Sequence, residues 1–159
     1  MRGWPLLLAA LLAAGCAARR APDTAATAPG PRTLLDGVYS AAQSRRGEMI
    51  YFSTCVKCHR PEMTGSQIVP PLIGQPFLGR WGRKTAGDLF EWVRVSMPPG
   101  EDAKLSPQEY ADVLAYVFRR NEFPAGPDEM AADFAALRTI RIAPETPGAD
   151  VSAGPSAQR

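Results

Sequence analysis

The sequence predicts an all-α domain: three main helices around a covalently bound group, with flexible extensions at both ends. Three observations carry this prediction. Apolar residues recur at helical spacing in three separate stretches, two of which open on N-terminal capping pairs, Thr85 with Asp88 and Ser106 with Glu109. No stretch of the domain alternates apolar and polar residues as a half-buried strand would. The first helical stretch runs into Cys55-Val56-Lys57-Cys58-His59, a spacing that gathers two thiols and an imidazole on one helical face.

The first helix is predicted over Leu34 to Phe52, with Val38, Ala41, Ala42, Met49 and Phe52 as its apolar positions. Gly47 inside it lowers helix propensity and is explained by the close approach of another helix, which a side chain would block. A second helix is predicted from Ala86 to Ser96, with Leu89, Trp92, Val93 and Ser96 on one side. It must end near Met97, because Pro98 disfavours the α conformation at the residue before it and lacks a backbone donor. The third helix starts at Ser106-Pro107, carries Tyr110, Val113, Leu114, Val117 and Phe118 on one face, and closes at Phe123-Pro124. That face is predicted to pack across the first helix at Gly47. Further on, Asp128 to Leu137 reads as one more short helix, and Thr139 to Ala143 as an extended segment on the domain. The apolar stripe of that short helix suits self-packing or docking.

Cys55, Cys58 and His59 form the C-x-x-C-H signature of covalent c-type haem attachment, with both thiols placed for the porphyrin and His59 beneath the iron. His59 is the only histidine in the chain. A zinc site would need further ligands, and the third cysteine, Cys16, lies far away in an apolar run. A thioredoxin-like pair would need a preceding strand in a βαβ unit, which the sequence does not offer. The bland alternative is two buried cysteines beside an incidental histidine.

With no second histidine, the strong-field ligands left for haem iron are methionine, lysine or a terminal amine; methionine is the usual partner of histidine, and elimination among the methionines points to Met97. Met63 is too near the proximal side, Met49 precedes the motif on a helix, and Met130 lies beyond the third helix. Met97 stands at a helix end stiffened by Pro98 and Pro99; the alternative is a flexible core filler. Iron held by His59 and Met97 has no open position for substrate, so the chemistry left is one-electron transfer.

Residues 1–18 have the layout of a secretory signal: Arg2, an apolar stretch short for a membrane span, then small residues up to Gly15-Cys16. The expected location is the periplasm. Leu12-Ala13-Ala14-Gly15-Cys16 resembles a bacterial lipobox that would lipidate Cys16 and tether the protein to a membrane, although simple cleavage nearby is the alternative. Residues 19–35 suit a flexible linker and residues 144–159 a disordered tail, leaving a domain over 36–126 and an extension over 127–143. The formal charge of +2 is too near neutral to imply nucleic acid as a partner.

From Ala42 to Gly126 the chain resembles the class I c-type cytochromes. The resemblance rests on Gly47 and Tyr51 before the motif, Pro70-Pro71-Leu72-Ile73-Gly74 after it, Met97-Pro98, and Leu114-Ala115-Tyr116 in the last helix. It implies the cytochrome c fold and one haem c, with the Pro70 carbonyl accepting the imidazole N–H and thereby strengthening its donation to iron. It implies further that Gly47 and Tyr116 meet at the helix crossing, and that Arg80, Trp81 and Arg83 hold the haem propionates. The bland reading of Arg80 to Lys84 is a solvated loop.

A narrower similarity, through Gly74 to Leu78, Gly87 to Phe90, Gln108 to Val113 and Asn121 to Gly126, is to small bacterial cytochromes that serve periplasmic quinoprotein dehydrogenases. The expected partners are therefore redox proteins: a periplasmic dehydrogenase, a terminal oxidase or other cytochromes. Three functions compete on the sequence: a carrier moving single electrons from a dehydrogenase to the respiratory chain, an obligate haem subunit of such an enzyme, and a haem enzyme or gas sensor with an open distal site.

Overall fold

The computed structural model describes residues 32–100 and 104–143. Within them, four of the helices begin where the sequence supplies partners for the unpaired N–H groups of a first turn. The Ser40 hydroxyl accepts from the Gln43 N–H and starts α1 (Ala41–Ile50), which continues through a π turn (Tyr51–Cys55) into α2 (Val56–His59). A loop then leads to α3 (Gly74–Trp81). Reciprocal capping pairs open α4 (Ala86–Ser96) at Thr85 and Asp88, and α5 (Pro107–Arg120) at Ser106 and Glu109. Asp133 caps the short α6 (Phe134–Leu137). The architecture is all-α apart from β1 (Arg32–Thr33) and β2 (Ile140–Arg141), paired in parallel with Arg32 opposite Ile140.

The expected signal, the lipobox with Cys16 and the tail over 144–159 lie outside the described residues, as does the linker up to residue 31. The rest of the linker is ordered. Thr33 caps a 3-10 turn over Leu34–Asp36, Leu34 is fully buried, and Gly37 in the left-handed region turns the chain before α1. The first helix accordingly starts at Ala41 rather than near Leu34.

Its buried face also differs from expectation. Gln43, Ser44, Gly47 and Tyr51 point inward, whereas Met49 and Phe52 are 68% and 46% exposed and Ala41 and Ala42 face solvent. The reason is the partner: a Cβ at Gly47 would overlap the Asp112 carbonyl, so α1 and α5 cross nearly backbone to backbone and only small or hydrogen-bonded groups fit. Gly47 therefore meets Asp112 and Val113, and Tyr116 lies a turn further on against Tyr51, with ring centroids 5.4 Å apart. This corrects the expected Gly47–Tyr116 contact.

Polar groups at the crossing are paired. Arg46 reaches Asp112 at 2.8 Å and Glu129 at 2.8 Å, and Asp112, almost fully buried, also accepts from Gln108 at 2.8 Å. The half-exposed Arg46 makes each ion pair weak through solvent screening, but satisfying the buried Asp112 avoids a larger penalty.

The 127–143 extension belongs to the same core. Gln43 exchanges two hydrogen bonds with the backbone of Met130, and Leu137, Ile140 and Ile142 are buried. The Ile142 and Ala143 N–H groups bond to the carbonyls of Lys84 and Gly82 at 3.0 and 3.2 Å, which ties the extension to the start of α4. The stripe expected to suit self-packing or docking divides: Met130 and Leu137 pack inward, and Phe134 stays 39% exposed.

Candidate functional site

A cleft open to solvent on one side lies among α2, α3, α4 and α5, walled by apolar side chains that include Phe77, Leu89, Trp92, Leu114 and Val117. Cys55, Cys58 and His59 line it from the π turn and α2, and Met97 lines it with Pro98 and Pro99 from the end of α4. Stretches more than thirty residues apart in sequence thus meet around one apolar space.

Both thiols of the motif are free, Cys55 half-buried and Cys58 exposed. Burial, and secondarily the neighbouring Cys58, pushes the Cys55 thiol up to about 11, so it stays protonated at neutral pH. His59 is buried, and desolvation lowers its pKa while the Pro70 carbonyl opposes this. Nδ1 of the same ring is buried without a partner at hydrogen-bond geometry. Together these describe a Pro70 carbonyl close to the imidazole but outside a strict hydrogen bond, and a neutral ring able to act as a ligand.

The ring's setting is held from several sides. Tyr51 donates its hydroxyl to the Arg60 carbonyl at 2.6 Å just after α2. The Gly65 N–H donates to the His59 carbonyl at 3.2 Å, and Leu72 N–H to the Met63 carbonyl at 2.9 Å. Asn121, at the end of α5, donates to the carbonyls of Leu72 and Val117 and accepts from the Gly74 N–H, each at 2.9 Å. Sequence reasoning gave Asn121 no such role; its one local signal is an amide side chain at a helix C-terminus, where carbonyls need donors.

Met97 takes extended backbone as the C-cap of α4 and is partly buried. No other methionine lines the cleft among the described residues: Met63 and Met130 are buried elsewhere and Met49 faces solvent. The Met97 carbonyl accepts from the Tyr110 hydroxyl at 2.7 Å, another contact that the sequence, which showed Tyr110 only as an apolar helical position, did not reveal.

The segment Arg80 to Arg83 departs from the solvated-loop reading. Arg80 and Trp81 end α3, an element absent from the predicted set. Trp81 is buried against Trp92 with ring centroids 5.6 Å apart, and the Arg80 guanidinium lies 5.1 Å from the Trp92 centroid at the rim of the cleft. Arg83 is exposed and does not line the cleft. The structure brings together Cys55, Cys58, His59, Pro70, Arg80, Trp81 and Met97 and leaves Arg83 out.

This donor set fits an iron macrocycle: two free thiols on a helical turn, one imidazole, one thioether, and walls that would bury a flat apolar ring. Comparison with known proteins agrees. The family model described as cytochrome c oxidase, cbb3-type, subunit III, matches residues 42–117. Thiosulfate dehydrogenase of Thiomonas intermedia (strain K12) is 33% identical over 89 residues, covering 52% of this chain and 28% of that protein. This chain thus spans little more than a quarter of that relative's length. No solved structure matches. A cytochrome c domain carries covalently bound haem c, and the Cys55–Cys58 region fits that cofactor.

Proposed function

We propose, from the premise that this chain is a class I c-type cytochrome, that it is a single-electron carrier whose haem would be linked through Cys55 and Cys58, with His59 and Met97 as the residues that would hold its iron. An electron-transfer role follows from the domain itself; the ligation rests on Met97, which alone among the described methionines reaches the cleft that His59 lines. The bound haem supplies a one-electron couple between ferrous and ferric iron. The chain's own residues do the rest. The neutral imidazole of His59 is oriented beside the Pro70 carbonyl, the thioether is delivered by the prolines that end α4, and the apolar walls exclude water from the cleft.

The carrier works in the periplasm, exported by the signal over residues 1–18 and tethered where Cys16 is lipidated. It passes electrons from a dehydrogenase toward the respiratory chain through other redox proteins. In Met97→Ala the haem stays attached, the potential falls, and the reduced protein binds carbon monoxide readily. An unchanged potential with no gain in carbon monoxide binding would show that Met97 is not the ligand.

The resemblance to an enzyme named thiosulfate dehydrogenase favours a second reading, a haem subunit working within such an oxidoreductase. Purification of the native protein separates the two. A permanent large partner supports the subunit, and a free monomer the carrier.

A further inference from the structure

The end of α4 leaves carbonyls that cannot be met within the helix, because Pro98 and Pro99 have no N–H to offer. Side chains from beyond the Pro-Pro-Gly turn meet one of these, on Val95, and the carbonyl of the extended C-cap, Met97. Lys104 Nζ donates to the Val95 carbonyl at 3.0 Å, and the Tyr110 hydroxyl donates to the Met97 carbonyl at 2.7 Å. The same hydroxyl accepts from the Leu105 N–H at 3.4 Å, so one oxygen joins both ends of the Met97 loop. Tyr110 is itself fixed: its ring is 1% exposed, lines the cleft, and sits one residue after the Glu109 that closes the α5 capping pair.

We infer that Tyr110 is the positioning residue for Met97, clamping the peptide that carries the thioether so that it stays directed into the cleft. This rests on Met97 being the axial ligand. It assigns Tyr110 a task beyond core packing, since the hydroxyl is spent on the residue whose side chain must hold the iron against competing ligands. Removing it leaves the ligand in place but easier to displace.

The test is imidazole binding to the ferric holoprotein, with the potential recorded alongside, in wild type, Tyr110→Phe, Met97→Ala and Tyr39→Phe. Phenylalanine at 110 keeps the buried ring and removes only the oxygen. Tyr39→Phe is the matched control, because the buried Tyr39 hydroxyl donates to the Phe123 carbonyl at 2.5 Å and its ring does not line the cleft. Imidazole is expected to bind Tyr110→Phe about fivefold more tightly than wild type, the effect of one ordinary hydrogen bond. Met97→Ala binds tightest and Tyr39→Phe matches wild type. Wild-type affinity in Tyr110→Phe beside an opened Met97→Ala overturns the clamp and leaves the ligation standing. Equal tightening in Tyr39→Phe also overturns it, as general loosening. Wild-type affinity in Met97→Ala removes the ligation itself and the clamp with it.

Discussion

The α1–α5 crossing and the cleft side of the molecule solve opposite packing problems. At the crossing the protein fills its own space: Gly47 lies on the Asp112 carbonyl, Tyr51 packs on Tyr116, and Arg46, Gln43 and Asp112 are hydrogen-bonded. On the cleft side Leu89, Trp92, Leu114 and Val117 face an apolar space that no side chain of the described residues fills. One half of the core is made of chain and the other is completed by the haem. In a domain this small, where the protein core alone is marginal, the cofactor counts as a structural element.

The sharpest break in that comparison is Cys55→Ser with Cys58→Ser, which prevents covalent attachment. Amide exchange in α3 and α4 is expected to accelerate on the order of a hundredfold more than in α1, which does not line the cleft, because local opening becomes cheap where the wall has lost its partner. Uniform acceleration over all three helices would show that the two regions are not energetically distinct. Gly47→Ala attacks the other region. Its new Cβ collides with backbone that cannot yield, costing about 3 kcal/mol by denaturant unfolding of the holoprotein, with the haem spectrum unchanged. A cost near zero would mean that the crossing opens easily.

The smallest effect belongs to the cap of α4. Bonds from the Thr85 N–H and hydroxyl hold the Asp88 carboxyl below its usual pKa, so the folded value is depressed. The stability this gives is present above the unfolded value of about 3.9 and is lost as pH falls through the lower folded value. Because Asp88 is exposed and solvent screens its charge, Asp88→Asn should cost only about 0.5 kcal/mol at neutral pH, and the gap from wild type in melting temperature should close below about pH 3.9. A gap constant from pH 7 to pH 2 would show that the carboxylate charge is not what caps the helix.

The parts of the fold that were legible in the sequence are the ones determined locally. α4 lies between Thr85 and Met97 and α5 opens at Ser106-Pro107 because caps and prolines act within one turn. α3 was not legible. No side chain caps its start, it holds Pro76 and Gly79, and its eight residues span barely two turns, too short a stretch for a helical period to stand out. The buried face of α1 was misjudged because hydrophobicity says nothing about a helix whose partner arrives at backbone distance; Gln43 and Ser44 go inside and Met49 stays out. The pairing of β1 with β2 joins chain segments over a hundred residues apart, which no local signal announces. At the site, the cysteine pair, His59 and Met97 were readable as chemistry. Tyr110 and Asn121 were not, because their roles depend on which distant carbonyl each side chain reaches.

The measurement that bears most directly on the account is the intact mass and colour of the purified mature chain after extraction with acidified organic solvent. One haem retained on the polypeptide, in a red protein, is the predicted result. A colourless chain, or pigment that passes wholly into the solvent, would contradict it.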